Sequence, residues 1–326
     1  MKLKIGVIGV GHLGSIHARL LAENPEAELL GVRDILPERN LHLAAELNVK
    51  AYQNLEEIIN ECDALVISVP TSLHYEVASK CIAAGKHCLI EKPITAKYSE
   101  AVALIDEAHN RDVLIQVGHV ERFNPALAAV KSYDLKPLFI ESHRLGQFKP
   151  RARDVSVIHD LMIHDIDIIL QLVNSEVKSI DANGVNVLTD TTDIANARIT
   201  FENGCVANIT ASRISAHPMR KMRIFQKDAY LSLDFQEHKV EVYRIHDSDY
   251  SPQSGIPATM LGSIETGINN KNIYFEIPQV IKTNAIAEEQ TAFIRAIKNE
   301  GENPVGADEA ALALKVAEEI IELIYR

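Results

Sequence analysis

The sequence predicts an α/β fold in which a doubly wound parallel sheet is followed by an α+β domain built on an open, mostly antiparallel sheet. Short apolar runs alternate with helical patterns through the first third of the chain, which is typical of a parallel sheet with helices on both faces. Beyond residue 120 the pattern changes to longer strands joined by turns. The 326 residues are enough for two domains, and 47% of them are hydrophobic.

A glycine-rich turn follows the first predicted strand, which is an apolar run at residues 4–8, and precedes a predicted helix at residues 15–21. In the Rossmann dinucleotide fingerprint, the first glycine makes the tight turn, the second lets the backbone approach the pyrophosphate, and the third packs the helix on the strand. The pyrophosphate then binds at the N-terminus of the helix. The predicted cofactor-binding residues of this turn are Gly9, Gly11, His12, Leu13 and Gly14.

An acidic residue ends the second predicted strand, at residues 28–34, about 20 residues after the last glycine, as the fingerprint expects. The carboxylate of Asp34 is predicted to accept hydrogen bonds from the adenosine ribose, which favours NAD over NADP. Arg33 and Arg39 leave that preference open, because a nearby arginine can hold a 2′-phosphate. The alternative is a glycine turn that merely packs a helix on a sheet, but the order of strand, turn, helix and acid favours dinucleotide binding.

The rest of the first domain, residues 1–121, continues the alternation. Helices are predicted at residues 37–47, 55–61, 74–84 and 99–110, and strands at residues 51–52, 63–69, 87–90 and 113–117. In open sheets of this type, ligands bind outside the carboxyl ends of the strands. The residues after the strand at 63–69 are therefore predicted to bind the cofactor as well: Pro70, Thr71 and His74.

A lysine follows the strand at residues 87–90, within the motif Glu91-Lys92-Pro93. At the carboxyl end of a strand of the same sheet, this lysine can reach both a nicotinamide and a substrate hydroxyl. Glu91 and Lys92 are therefore predicted to contribute to the cofactor site, and Lys92 also to catalysis. A dinucleotide with a reactive lysine beside it indicates a dehydrogenase.

The second domain, residues 122–326, is predicted to bind the substrate and to form the oligomer, although its terminal helices can pack back on the first domain. Strands are predicted at residues 138–145, 177–187, 195–201, 206–213, 222–225, 230–235 and 240–244. Helices are predicted at residues 157–172, 285–299 and 308–325. Residues 248–270 are polar and rich in turn formers, which predicts an exposed loop.

The helix predicted at residues 157–172 contains a second candidate site. Asp160 and His164 are four residues apart, so an α-helix would place them on one face. A carboxylate beside an imidazole raises its basicity, which suits a general base that takes the proton of an alcohol while the carbon gives up hydride. The alternatives are an incidental surface pair and a metal site. A metal is disfavoured, because His159 and Asp165 would point away from that face.

Composition and charge exclude several classes of protein. A formal net charge of −12 argues against a surface that binds nucleic acid or an anionic membrane. The sequence shows no signal-peptide pattern and no apolar run of membrane-spanning length. The four cysteines lack metal-binding spacing and are expected to be buried thiols in a reducing compartment, so a cytoplasmic protein is predicted.

Taken together, these motifs resemble the glucose–fructose oxidoreductase/inositol dehydrogenase (Gfo/Idh/MocA) family of sugar and cyclitol oxidoreductases. The resemblance covers nearly the whole chain and rests on the glycine-rich turn, on the Glu-Lys-Pro motif and on Asp160-x-x-x-His164, with Asp167 completing the last motif. It implies that Lys92, Asp160 and His164 surround the reacting carbon. Met162 stands where many members have glycine, so the approach of the backbone to the substrate is expected to differ there.

Residues 118–125 and 160–167 resemble more narrowly the nucleotide-sugar branch of that family, the UDP-N-acetylglucosamine 3-dehydrogenases of lipid A biosynthesis. The resemblance implies oxidation of the sugar 3-hydroxyl to a ketone, which a partner aminotransferase then aminates. The predicted substrate-binding residues are Arg122, Asn124, Arg151, Arg153, Asp160 and His164.

A nucleotide sugar also needs cations for its diphosphate, and arginine side chains suit phosphate. Two basic groups are candidates, although any single member can equally be a solvated surface charge. They are Arg144, Lys149, Arg151 and Arg153 before the predicted catalytic helix, and Arg213, Arg220, Lys221 and Arg223 later in the domain.

The leading function is an NAD(P)-dependent sugar dehydrogenase, with NAD as the expected cofactor and NADP as the alternative. A dehydrogenase of a free sugar, an inositol or a small imine is the second hypothesis, and a non-catalytic sensor of dinucleotide or sugar is the third. Lys92, Asp160 and His164 argue against a sensor, which has no need of proton-handling residues. A homodimer or homotetramer is expected, since an open sheet commonly buries its free face.

Overall fold

A computed structural model describes residues 2–148, 155–247, 257–265 and 270–326. The chain divides into two compact units. The first unit comprises the residues up to Phe123 together with Asn284–Lys315, and the second comprises Asn124–Thr283 together with Val316–Arg326. The predicted boundary between residues 121 and 122 lies two residues before this division, and a further division falls within the last helix.

Helices in both units follow the predicted segments, apart from one short helix that was not predicted and a later start of the helix predicted at residues 157–172. They are α1 (His12–Glu23), α2 (Pro37–Leu47), α3 (Leu55–Glu61), α4 (His74–Ala83), α5 (Tyr98–Asn110), α6 (Pro125–Ala128), α7 (Ile163–Val173), α8 (Ala285–Ile297) and α9 (Ala307–Ile324).

The first unit is built on a parallel sheet whose six described strands have the order β3-β2-β1-β4-β5-β6. The strands are β1 (Leu3–Ile8), β2 (Ala27–Arg33), β3 (Lys50–Ala51), β4 (Ala64–Ile67), β5 (His87–Glu91) and β6 (Ile115–Gly118). A helix follows each of the first five strands, and the strand order reverses between β1 and β4. This confirms the predicted doubly wound sheet and gives a topological switch point at which such sheets bind ligands.

Apolar side chains cover both faces of this sheet. On one face, Val7 of β1 belongs to the same buried cluster as Leu21 of α1. On the other face, Ile8 of β1 clusters with Ile58 of α3. Complete burial of one such side chain stabilises the fold by about 1.5–3 kcal/mol. Since the faces are filled, the carboxyl ends of the strands are the part of the sheet that remains for a ligand.

The second unit is built on a mostly antiparallel sheet of nine described strands in the order β14-β15-β13-β12-β11-β7-β10-β9-β8. The strands are β7 (Phe139–Leu145), β8 (Val177–Val185), β9 (Ile194–Phe201), β10 (Val206–Ser212), β11 (Met219–Phe225), β12 (Ala229–Asp234), β13 (Lys239–Asp247), β14 (Ala258–Glu265) and β15 (Asn270–Glu276). Strands β7 and β10 form a parallel pair in this otherwise antiparallel sheet, which confirms the predicted α+β class.

The two faces of the second sheet differ. Along β7, Ile140, Ser142 and Arg144 are buried, and α7 packs on β7 and β10 from this side. The opposite face carries a row of rings on neighbouring strands, which we call the aromatic ladder: Phe139, Phe225, Tyr230, Tyr243 and Phe275. Successive ring centroids in this row are 5.9, 4.8, 5.6 and 4.9 Å apart.

The prediction of an exposed loop at residues 248–270 is wrong for β14, which pairs with β15 at the edge of the sheet. Residues 248–256 and 266–269 lie outside the described part of the chain. In β14, Met260, Leu261 and Ile264 are 51%, 56% and 43% exposed. An edge strand that is paired through its main chain, without burying one face, lacks the apolar alternation by which strands are recognised.

Candidate active site

The glycine-rich turn joins β1 to α1 at the switch point. Gly9 has a φ of +87°, and a Cβ there would lie 2.6 Å from the Ser68 carbonyl oxygen. A Cβ on Gly14 would collide with the Gly9 carbonyl oxygen, whereas a Cβ on Gly11 would meet open space. The three glycines therefore provide a left-handed turn, close helix packing, and a stretch of backbone that a ligand can approach.

The N-terminus of α1 follows this turn and suits an anion. The first N–H groups of a helix have no acceptor within it, and the helix dipole adds partial positive charge there. His12 and Leu13 begin the helix, Leu13 is 39% exposed, and this described turn carries no acidic side chain. Together with the open backbone at Gly11, these features fit the pyrophosphate of a dinucleotide.

Asp34 follows β2 and lies against the glycine-rich turn. Its Oδ2 accepts a hydrogen bond from Val10 N–H at 2.7 Å, and its Oδ1 accepts one from Leu36 N–H at 2.9 Å. The main chain therefore orients the carboxylate at the position of the ribose-binding acid of the fingerprint. Of the two arginines that leave the cofactor preference open, Arg33 is partly buried and Arg39 is exposed on α2.

The segment after β4 contains the next three predicted cofactor residues. Pro70 is exposed, and Thr71 is partly exposed in a short 3-10 turn. His74 is 1% exposed, with Nδ1 2.9 Å from the Pro93 carbonyl oxygen and Nε2 2.9 Å from the Val69 carbonyl oxygen. Both ring nitrogens face main-chain carbonyl groups, and the predicted cofactor contact of His74 stays a prediction. These two contacts join the segments after β4 and β5.

Glu91 and Lys92 lie at the end of β5. Glu91 Oε1 is 2.8 Å from His17 Nε2 on α1, and its Oε2 accepts a hydrogen bond from Lys92 N–H at 3.3 Å. Burial would by itself raise the pKa of Glu91, but the His17 hydrogen bond and the nearby Lys92 ammonium outweigh it and lower that pKa. An ionised carboxylate therefore lies directly beside Lys92.

In the second unit, Asp160 and His164 lie at the junction of two helix types, so the prediction of one regular helix at residues 157–172 is wrong. A π-helical turn, Ile158–Met162, carries Asp160, and α7 begins directly after it and carries His164. A π-turn closes over five residues, so the pair lacks the regular spacing on which the prediction relied. Both side chains are partly exposed, and short π segments are frequent at functional sites.

A buried ion pair attaches α7 to β7. Arg144 Nε donates to Asp165 Oδ2 at 2.7 Å, and Arg144 Nη2 donates to Asp165 Oδ1 at 3.1 Å. The side chains are 3% and 2% exposed. Asp167, which completes the family motif, is also buried at 1% exposure.

A second buried pair stabilises the chain just before the π-helical turn. Arg213 Nε donates to Asp193 Oδ1 at 2.7 Å, and Arg213 Nη1 donates to the Val155 carbonyl oxygen. Asp193 Oδ2 also accepts three main-chain N–H groups from residues 187–189. Burial would raise the pKa of Asp193, but the main-chain N–H groups and Arg213 hold it well below its usual range.

These pairs correct the predicted set of phosphate-binding cations. Arg144 and Arg213 are buried in ion pairs, because each compensates a carboxylate that would otherwise be isolated in the core. Lys221 and Arg223 alternate with the buried Met222 and so lie on the face of the aromatic ladder, where they pair with carboxylates. The other predicted cations of the first group, Lys149, Arg151 and Arg153, lie outside the described residues.

Arg220 lies on the opposite face of β11 from Lys221 and Arg223. It is directly opposite Arg144 in the antiparallel pairing of β11 with β7. Directly opposite residues project from the same face of a sheet, so Arg220 is on the face that α7 covers. Arg220 is exposed there, near the start of β11.

Arg122 and Asn124 follow β6, and each forms hydrogen bonds within its own unit. Arg122 is 5% exposed and donates its Nη1 to Glu309 Oε2 at 2.7 Å within the first unit. In the second unit, Asn124 caps α6, because its Oδ1 accepts Ala126 N–H at 3.0 Å, and its Nδ2 donates to the Phe235 carbonyl oxygen at 3.1 Å. These contacts stabilise the fold of each unit, and substrate binding by either residue stays a prediction.

Within the described residues, no helix is long and apolar enough to cross a membrane. The same residues contain no group of three His, Cys, Asp or Glu side chains that could hold a metal ion. All four cysteines are buried, and none forms a disulfide.

Family models match both parts of the chain. Residues 3–119 match the oxidoreductase family with an NAD-binding Rossmann fold, and residues 136–232 match the GFO/IDH/MocA C-terminal domain. Over 242 residues the chain is 43% identical to UDP-N-acetylglucosamine 3-dehydrogenase from Acidithiobacillus ferrooxidans, across 74% of this chain and 77% of that protein. The chain belongs to the Gfo/Idh/MocA oxidoreductase family.

This Gfo/Idh/MocA oxidoreductase is also 30% identical to the scyllo-inositol 2-dehydrogenase (NAD(+)) of Bacillus subtilis (strain 168), over 66% of this chain and 69% of that one. A solved structure of the Acidithiobacillus ferrooxidans enzyme matches it with a TM-score of 0.88 at 35% identity, covering 99% of this chain and 98% of the other. The predicted family is therefore confirmed, and the protein is an NAD-dependent oxidoreductase.

The sequence prediction for this oxidoreductase did not include three polar residues near Glu91: His17, which contacts it, Gln290, which contacts His17, and Glu289, whose pKa is raised by the Glu91 charge. His17 lies on α1, three residues after Gly14, and could have been noticed as a polar residue on the buried face of that helix. Gln290 and Glu289 come from α8, more than 270 residues later, and no local signal links them to the site.

Proposed function

We propose that this oxidoreductase oxidises the 3-hydroxyl of UDP-N-acetylglucosamine to the 3-keto sugar, with NAD as the hydride acceptor. The observation that carries the proposal is the 43% identity, over 74% of this chain, to an enzyme of that name. The narrower resemblance of residues 118–125 and 160–167 to the nucleotide-sugar branch supports the same substrate.

Oxidation of an alcohol separates a hydride from a proton. When bound, NAD accepts the hydride from the carbon. In the proposal, Lys92 hydrogen-bonds the reacting hydroxyl, and His164 takes its proton as general base. Asp160 orients His164 or holds the same hydroxyl. Lys92 and His164 can exchange these two roles, since each is a proton-handling side chain with partial exposure.

The diphosphate of the substrate requires cations. We assign Arg220 to it among the described residues, because this exposed guanidinium lies on the sheet face that α7 covers. Arg151 and Arg153 stay proposed partners from outside the described residues. A charge-assisted hydrogen bond contributes about 1.5–3 kcal/mol, so Arg220→Ala should raise KM for the nucleotide sugar roughly ten- to hundredfold.

The test is NADH formation with UDP-N-acetylglucosamine, free N-acetylglucosamine, glucose and myo-inositol. Efficient turnover is expected with the UDP sugar, and free N-acetylglucosamine should bind far more weakly because it offers no phosphate to a guanidinium. Arg220→Ala should weaken binding of the UDP sugar and leave the KM values of the free sugars unchanged. Free sugars or inositol that react as efficiently as any nucleotide sugar would overturn the proposal.

A dehydrogenase of an inositol is the second candidate, favoured by the 30% identity to the scyllo-inositol enzyme. It has the same requirement for Lys92, Asp160 and His164 but none for a diphosphate-binding cation. Oxidation of inositol that does not depend on Arg220 would therefore select this candidate.

We also infer a homodimer or homotetramer formed through the aromatic ladder. Phe225 is 38% exposed, and the other rings of the ladder are partly exposed on an open sheet face. A second copy of the chain would bury this row. Sedimentation should show an oligomer for the wild type and a smaller species for Tyr230→Glu, whereas Tyr75→Glu, at an exposed tyrosine of α4, should leave the assembly intact. A monomeric wild type would contradict this inference.

Finally, we infer a cytoplasmic enzyme of lipid A biosynthesis whose ketone product is aminated by an aminotransferase. The branch resemblance supports this pathway, and four buried cysteines without a disulfide suit a reducing compartment. Conversion of the product to a 3-amino sugar by a sugar aminotransferase, followed by mass spectrometry, tests the step.

A further inference from the structure

A chain of buried polar groups begins at Glu91, the residue before Lys92, in the first unit. Glu91 Oε1 is 2.8 Å from His17 Nε2, and His17 Nδ1 is 2.9 Å from Gln290 Nε2. Both His17 and Gln290 are 1% exposed. The chain thus runs from the end of β5 through α1 to α8.

The hydrogen bonds determine which nitrogen of His17 carries its proton. The Gln290 amide also donates Nε2 to the His17 carbonyl oxygen at 3.0 Å, so its NH₂ group faces both acceptors. His17 Nδ1 must then accept, and Nε2–H must donate to Glu91. This is the neutral Nε2–H tautomer, oriented by one residue from the far end of the sequence.

A neighbouring carboxyl group is arranged to leave Glu91 as the ionised one. Burial raises the pKa of Glu289 well above its ordinary value, and the nearby charge of Glu91 raises it further. Ionisation is therefore disfavoured at Glu289 and favoured at Glu91. Environments that push two carboxyl pKa values apart assign them different roles.

The strand beside Glu91 also leaves room for its carboxylate. A Cβ on Gly118 of β6 would lie 3.1 Å from Glu91 Oε2, closer than most side-chain contacts. That same Oε2 accepts the Lys92 main-chain N–H at 3.3 Å. The carboxylate is thus confined between His17, Gly118 and the main chain of the next residue, which is Lys92.

We propose that His17 and Gln290 are positioning residues, which orient the Glu91 carboxylate and through it place the Lys92 ammonium for the reaction. The proposal rests on the role of Lys92 in the proposed function. Glu91 acts on Lys92 in two ways, by bonding its main-chain N–H and by attracting its side-chain charge. Loss of the His17 donor leaves the carboxylate unanchored on one side.

Two substitutions separate the donor to Glu91 from the acceptor for Gln290. His17→Gln places an amide near the Nε2 position and keeps a donor for Glu91. His17→Asn keeps a polar group near the Nδ1 position and loses that donor. Because a displacement of about 1 Å can cost up to 10²-fold in rate, His17→Asn should lower kcat roughly ten- to hundredfold, and His17→Gln should recover most of it.

The matched control is His87 at the opposite end of β5, whose Nδ1 accepts Leu114 N–H at 3.0 Å. His87→Asn should leave kcat unchanged. Unchanged kcat in folded His17→Asn would overturn the proposal, as would equal losses in the two His17 variants. If His17→Asn does not fold, Glu91→Gln, which keeps the shape and removes the charge, should show the same loss of kcat, and normal kcat in it would overturn the proposal.

A double-mutant cycle with Lys92→Met distinguishes this proposal from the proposed function. If His17 acts through Lys92, His17→Asn should add little to the loss already caused by Lys92→Met. Single-turnover measurements with excess enzyme make the low rates of the slow variants measurable. Additive losses would overturn the positioning role while the catalytic role of Lys92 stands. Near-normal turnover in Lys92→Met would overturn both.

Two readouts do not depend on turnover. Long-range ¹H–¹⁵N NMR of the protein without NAD should show the Nε2–H tautomer for the ring signals that disappear in His17→Asn, and the Nδ1–H tautomer would overturn the argument. Calorimetry should give His17→Asn an NAD dissociation constant within about threefold of the wild-type value, since most of the predicted cofactor contacts, at the glycine-rich turn and Asp34, are unchanged. A loss of NAD binding that accounts for the whole effect would contradict positioning of Lys92.

Discussion

The two units orient their candidate residues by different means. In the first unit these residues lie in strand-end turns, where main-chain N–H groups orient side chains such as Asp34. In the second unit His164 lies on α7, which is attached to the sheet by the buried pair of Arg144 with Asp165. The Asp34 carboxylate is oriented by main-chain N–H groups, whereas α7 is attached by a charged side chain from β7. Since a side-chain substitution cannot remove a main-chain N–H group, α7 should be more sensitive than Asp34 to substitution of its partner.

The largest expected effect comes from the proposed catalytic residues themselves. Lys92→Ala and His164→Ala should each lower kcat about 10²–10⁴-fold, because each loses a group that handles the substrate proton. That range corresponds to roughly 2.7–5.5 kcal/mol of activation free energy. Both residues are partly exposed, so the free energy of unfolding should change little. Steady-state kinetics and urea unfolding measure the two quantities.

Lys80→Ala is the matched control for these variants, since it removes a lysine that is 49% exposed on α4. Its kcat should equal that of the wild type. Near-normal turnover in both Lys92→Ala and His164→Ala would contradict the catalytic assignment.

Breaking the buried Arg144–Asp165 pair should lower the free energy of unfolding by nearly as much as the loss of a catalytic residue raises the activation free energy. Asp165→Ala leaves the Arg144 guanidinium buried without its carboxylate, which should lower the free energy of unfolding by about 3–5 kcal/mol. Urea denaturation followed by circular dichroism measures the loss. Glu141→Ala, which breaks the exposed pair with Arg223, should cost at most about 1 kcal/mol. Equal losses in the two variants would contradict the contrast between buried and exposed pairs.

In the first unit, Asp34 should give a smaller effect on cofactor choice. Its carboxylate would repel the 2′-phosphate of NADP by one to a few kcal/mol, so NAD should bind about tenfold tighter or more. Asp34→Asn should bring the two dissociation constants closer together, because it keeps the shape of the side chain and removes its charge. Calorimetry gives both dissociation constants. Equal or tighter NADP binding by the wild type would mean that Arg33 or Arg39 decides the preference instead.

The smallest effect is a pH dependence of stability, which has opposite signs for a buried carboxyl group in each of the two units. Burial raises the pKa of Glu289 above the ordinary 4.5. Its contribution to stability is therefore present below that pH and is lost as pH rises. Glu289→Gln cannot ionise, so it should be more stable than the wild type at pH 8 and not at pH 4. A gain of about 1 kcal/mol would raise Tm by roughly 2–4 °C, which calorimetry can measure.

Asp193 supplies the comparison in the second unit. Its pKa is lowered, so its contribution is present above the ordinary value of 3.8 and is lost as pH falls below it. Asp193→Asn should therefore destabilise the protein at neutral pH. The difference in stability between this variant and the wild type should become smaller in strong acid. The same sign of pH dependence for both variants would contradict these assignments.

The local patterns of the sequence determined the glycine-rich turn, the acid after β2 and the lysine after β5. Each of these is a few adjacent residues whose conformation follows from glycine φ, helix spacing or the end of an apolar run. The α/β class followed from the same patterns, and so did the resemblance to the family. The one helix expected at residues 157–172 failed at its start, since a π-helical turn has no apolar spacing of its own.

Only the tertiary structure decided which polar residues meet in the core. His17 reaches Glu91 across 74 residues, and Gln290 reaches His17 across 273. Arg144 resembled a phosphate-binding cation until the fold paired it with Asp165. A charged side chain has the same sequence appearance on the surface and in a buried pair, because the partner that compensates its desolvation comes from another element of the fold.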